Sequence, residues 1–105
     1  MNSKAKEILY IIIELTKDME TYLISYDLSN KDKYKELFEK IKSYGKWAHI
    51  TESYFAIGSD KPAKEIRDEL LAIVGDDSRL MVVRSAHEAA WHNTLCTNEW
   101  LKKNL

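Results

Sequence analysis

The chain has 105 residues, 45% hydrophobic and 31% charged, with a net charge of −1. That length and balance fit one soluble globular domain with a single core. Near-neutrality removes any whole-molecule attraction to nucleic acid or membrane, so such contact has to come from a local patch; the lone cysteine, Cys96, excludes an internal disulfide and a cysteine-based zinc site within one chain, which fits a cytoplasmic location.

At the N-terminus, Ile8, Ile12, Leu15 and Met19 recur at three- and four-residue spacing, with Lys4, Glu7, Glu14 and Lys17 outside the stripe. This predicts an amphipathic helix, although three consecutive β-branched residues, Ile11 to Ile13, also suit a strand. The apolar run Ile8–Ile13 is far shorter than the roughly 18 residues of a membrane span. No small-residue cleavage site follows it, so neither a membrane anchor nor a signal peptide is expected. Residues 1–18 read as an extension, docking on the domain or on a partner chain, in front of a domain over 19–105.

That domain opens with Thr21–Asp27, β-branched and aromatic and ending in an acid. Tyr22, Ile24 and Tyr26 point one way and Leu23, Ser25 and Asp27 the other. Ser29 with Asp32 reads as the start of a helix whose apolar face is Tyr34, Leu37, Phe38, Ile41 and Tyr44, stopped by Gly45. Lys46–Ile50 and Ser53–Ile57 then read as a hairpin. Gly58-Ser59-Asp60 and Pro62 start a second helix with Ala63, Ile66, Leu70, Ile73 and Val74 inward, and Gly75 ends it. Arg79–Ser85 is the last predicted strand. In the tail, Asn98–Asn104 reads as a short helix, and Trp91 and Trp100 require something to pack on.

The order β-α-β-β-α-β predicts an α+β, ferredoxin-like βαββαβ fold: one four-stranded antiparallel sheet with both helices on one face, an N-terminal helical extension and a C-terminal helical tail. The first and last strands are apolar on both sides, whereas a sheet face in water should alternate with polar residues. The second face therefore needs a cover: a second copy of the chain, the N-terminal extension, or the tail.

Tyr22-Leu23-Ile24-Ser25-Tyr26-Asp27-Leu28 resembles the first strand of the small CRISPR-associated Cas-two proteins, which a tyrosine-aspartate pair closes. Gly45 and Ser53-Tyr54-Phe55 resemble that family's glycine and its serine-aromatic pair. Trp47 after the glycine, Ala90-Trp91 after the last strand and Trp100-Leu101-Lys102 at the end look closer still to the stand-alone SinR-like relatives. The resemblance covers roughly residues 20–105. It implies a ferredoxin-like homodimer joined sheet to sheet, with the two first-strand aspartates approaching across the twofold axis. There they can share a divalent metal, Mg²⁺ or Mn²⁺, and metal-dependent cleavage of RNA or DNA is attributed to some members, while others bind DNA as scaffolds without cutting it. The Gly45-to-Ser53 spacing is longer than in the core family. The basic residue usual soon after the aspartate is replaced by Lys31, Lys33 and Lys35.

On this reading Asp27 is the candidate catalytic and metal-ligating residue, and its plain alternative is a strand-end carboxylate capping the following turn. Two carboxylates meeting at a twofold axis repel each other, and a hard cation relieves that repulsion. Lys31, Lys33, Lys35 and Ser25 are the candidate nucleic-acid contacts; such lysines otherwise form the solvated face of an amphipathic helix. Tyr22, Ile24, Tyr26, Trp47, His49 and Tyr54 are expected at the dimer interface. His87 and His92 lack the spacing of a zincin helix. The expectation is a homodimeric nucleic-acid-binding protein, with metal-dependent phosphodiester cleavage left open. Its alternatives are a non-catalytic scaffold binding DNA or protein, and a toxin-like ribonuclease of the VapD type.

Overall fold

The computed structural model describes residues 3–15 and 19–105. Helix α1 is Ser3–Leu15, with Ile8 and Leu9 exposed. The side chains beyond Leu9 in that helix, and the boundary expected at residue 18, lie outside the described part of the chain.

From residue 19 the protein is α+β, with one four-stranded antiparallel sheet. Its strands are β1 (Glu20–Asp27), β2 (Lys46–Thr51), β3 (Tyr54–Ser59) and β4 (Arg79–Arg84), side by side in the order β2-β3-β1-β4. Helix α2 (Tyr34–Ser43) joins β1 to β2, α3 (Ala63–Val74) joins β3 to β4, and α4 (Asn98–Asn104) closes the chain. Both inner helices bury their 3.6-period stripes on one sheet face: Leu37 and Ile41, with Ile66, Leu70 and Val74, pack on Tyr22, Ile24, Tyr26, Phe55 and Ile57.

Caps differ from the expected ones. A 3-10 turn, Lys31–Lys33, precedes α2, and Asn30, not Ser29, caps it by accepting from the Asp32 amide. Ser29 instead pairs with Ser78, its amide 3.1 Å from Ser78 Oγ, which braces the β1–α2 connection against the α3–β4 turn. The third strand runs on through Gly58 and Ser59, so α3 starts after Pro62. Gly75 ends α3 at φ 84° and ψ 160°, a region essentially reserved for glycine.

The tail covers half of the second sheet face. Leu101 is buried against Ile50 and Ala56, with Trp91, Trp100 and Leu105 packed around them. Leu95 N donates to Ile50 O at 2.9 Å, and Thr97 caps α4. The β1–β4 half stays open: Met81 is 62% exposed and Val83 46%.

Candidate nucleic-acid interface

Asp27 is the last residue of β1 and exposed. The antiparallel ladder sets it opposite Arg79, the first residue of β4, and Arg79 Nη1 donates to Asp27 Oδ2 at 3.0 Å. Both side chains reach into solvent, at 69% and 86% exposure, so the pair adds direction more than stability. Around it, Ser25, Tyr26, Leu80 and Met81 complete a shallow depression of about 300 Å³. Ser25 lies on the same sheet face as Asp27, beside Met81 in the ladder.

Arg79 is expected from the sequence only as the start of the last strand, with no role at the site. The last predicted strand begins with arginine, and the observed register is what brings that first residue opposite Asp27. A guanidinium beside a carboxylate can leave it for a phosphate, which offers the same two-oxygen geometry.

The lysine cluster sits just beyond β1. Lys31 and Lys35 are exposed, while Lys33 reaches Glu36 at 3.4 Å. Elsewhere Lys40 and Lys61 are held by Glu69, with Lys61 Nζ 2.7 Å from its carboxylate. The Lys61 hydrogen bond holds the Glu69 carboxyl below its ordinary value.

The residues expected at a dimer interface separate into two groups. Tyr22, Ile24 and Tyr26 are only 5%, 0% and 4% exposed, and pack under the helices. This corrects the expectation for those three, because the aromatic side of β1 is the core side and has no surface left for a second copy. Tyr26 OH donates to Glu52 O at 3.1 Å, and burial pushes its ionisation well up. Trp47 and His49 stand at the sheet margin against Phe55, His49 stacking on it with centroids 4.2 Å apart. His49 Nε2 also lies 3.1 Å from Glu52 O, so Nε2 carries the hydrogen and Nδ1 is the acceptor in the neutral ring. Tyr54 is half-buried beside the tail.

Among the described residues no three His, Cys, Asp or Glu side chains come together to hold a metal ion. Within one chain, Asp27 offers a single carboxylate already shared with Arg79. A Mg²⁺ or Mn²⁺ ion there would take its remaining oxygen ligands from water, a phosphate or a second copy. Among the described residues no helix is long and apolar enough to cross a membrane.

No protein-family model, curated protein or solved structure matches the chain.

Proposed function

We propose that the chain is a cytoplasmic, ferredoxin-like homodimer similar to the Cas-two and SinR-like group, and that it binds nucleic acid at the Asp27–Arg79 end of its sheet. The observation that carries this reading is the exposed guanidinium of Arg79 beside the strand-tip carboxylate, on the margin of an uncovered apolar face. Support for the fold comes from the succession β1-α2-β2-β3-α3-β4, the strand order and the placement of both helices on one face. Support for the dimer comes from Met81 and Val83, which together with Leu23 form a strip that sheet-to-sheet contact would cover. Arg79, Ser25, Lys31 and Lys35 supply phosphate contacts without any whole-molecule basic charge.

A second reading is a Mg²⁺- or Mn²⁺-dependent nuclease, favoured by the exposure of Asp27 at the strand tip. Its second carboxylate would come from another copy, since one chain offers a single one there. A metal there would supply hydroxide and polarise the phosphodiester.

The test is a gel-shift and cleavage panel on RNA and DNA, with and without Mg²⁺, for wild type and Asp27→Asn. Shift without cleavage supports the binding reading, and cleavage lost in Asp27→Asn supports the nuclease. Neither at low salt sinks both. A monomer in light scattering contradicts the dimer.

A further inference from the structure

We infer that the groove along the outer edge of β2, between Trp47 and Trp100, takes an unpaired nucleobase. The inference rests on the nucleic-acid reading above but makes no use of Asp27. The groove holds about 270 Å³ and is lined by Trp47, Ala48, His49, Leu95, Thr97 and Trp100 among others. That is just under the roughly 300–1,000 Å³ of drug-sized ligand sites, a size suited to one base with its sugar.

Its walls are aromatic and partly open to solvent, with Trp100 half-buried against the tail core. Trp47 is 39% exposed, and Leu95 beside it 66%. Trp91 Nε1 donates to Asn98 Oδ1 at 3.0 Å, whereas among the described residues neither Trp47 nor Trp100 spends its indole N–H. His49 adds an acceptor at Nδ1, because Nε2 is held by Glu52 O. Flat π-faces with unspent donors and an acceptor match the faces and edges of a base.

The rim is basic. Lys42 Nζ stands 5.1 Å from the centre of the Trp47 ring. Unlike Lys33, Lys40 and Lys61, Lys42 forms no ion pair among the described residues. Among the described residues no acid lines the groove. A peptide strand pairing with the β2 edge is disfavoured, because Leu95 N already takes Ile50 O there. That bond, the Thr97 cap and buried Leu101 also hold Trp100 in place, so the platform is formed before a ligand arrives.

The test is tryptophan quenching and anisotropy at low salt. The probes are single strands of about ten thymidylates or uridylates, an abasic strand of equal length, a hairpin duplex, and a free mononucleotide. Single strands are expected to quench, and to bind at least about tenfold tighter than the abasic strand or the duplex. Trp47→Leu and Trp100→Leu should each lose about tenfold. If Trp100→Leu loosens the tail by circular dichroism, Trp47→Leu decides. A mononucleotide binding as tightly as the strands supports the site and assigns it to free nucleotides. Equal binding of the abasic strand, or full affinity in Trp47→Leu, overturns the groove while nucleic-acid binding stands. No binding of any probe by wild type removes both.

Discussion

Arg79 Nη1 meets Asp27 Oδ2 at 3.0 Å because the β1–β4 register sets the last residue of one strand opposite the first of the other. Since both are exposed, Asp27→Ala and Arg79→Ala should each change stability by at most about 1 kcal/mol. Their effects on nucleic-acid affinity should have opposite signs. Arg79→Ala removes a phosphate contact and lowers the salt slope by about one. Asp27→Ala frees the guanidinium and removes a repelling charge, so binding should tighten. Affinity measured across a salt series separates the two variants. Weaker binding in both would mean that Asp27 takes part in holding the ligand.

Leu101 is the residue that fastens the tail to the sheet. It is 1% exposed and packs on Ile50 and Ala56. Leu101→Ala should cost about 2–5 kcal/mol if the tail unfolds with the domain. If the tail detaches separately, the global transition stays in place and limited proteolysis cuts between β4 and α4. Urea unfolding with parallel proteolysis distinguishes these outcomes.

The open half of the second face gives a test of assembly. Met81→Lys with Val83→Lys places two charges where a second copy would dock, yet both positions are exposed in one chain. The double variant should keep monomer stability within about 0.5 kcal/mol per site. Light scattering should then show wild type as a dimer and the variant as a monomer. Retained dimers in the variant would place the interface elsewhere.

Much of this arrangement was legible from period and punctuation. The stripe Tyr34, Leu37, Phe38, Ile41 and Tyr44 and its counterpart in α3 read as core faces because a helix repeats its burial every 3.6 residues, and both pack as read. The tail helix was bounded correctly, with Thr97 at its N-cap. The polarity of β1 was not legible. Tyr22, Ile24 and Tyr26 alternate with Leu23 and Ser25, and period-two patterning separates two faces without saying which one the helices cover. The apolar excess on both sides of β1 and β4 pointed to a second cover there, whereas the tail packs on the β2–β3 half and leaves Met81 and Val83 exposed. Where the tail packs depends on contacts between β2, β3 and residues 91–105, distant in sequence, and no local propensity encodes those. The Arg79 pairing is hidden for a related reason: Arg79 becomes a partner of Asp27 only through register.

The final prediction concerns alkaline pH. Burial, then the neighbouring Tyr34 and Glu52, push the Tyr26 hydroxyl well above its ordinary value of 10.0. Burial and Glu69 do the same to Tyr44, whose hydroxyl lies 3.4 Å from Glu69 Oε1. Both phenols therefore hold their protons more firmly folded than unfolded. Their contribution is fully present below the unfolded value near 10.0 and is lost as pH rises above it, because the unfolded chain ionises first. Thermal unfolding followed from about pH 8 to about pH 11 should show the melting temperature falling at the upper end. Tyr26→Phe removes one of the two ionisations, so its decline should be shallower. At neutral pH the same variant should cost only about 1 kcal/mol, since His49 Nε2 still donates to Glu52 O at 3.1 Å. An identical alkaline slope in wild type and in Tyr26→Phe with Tyr44→Phe would show that neither phenol governs it.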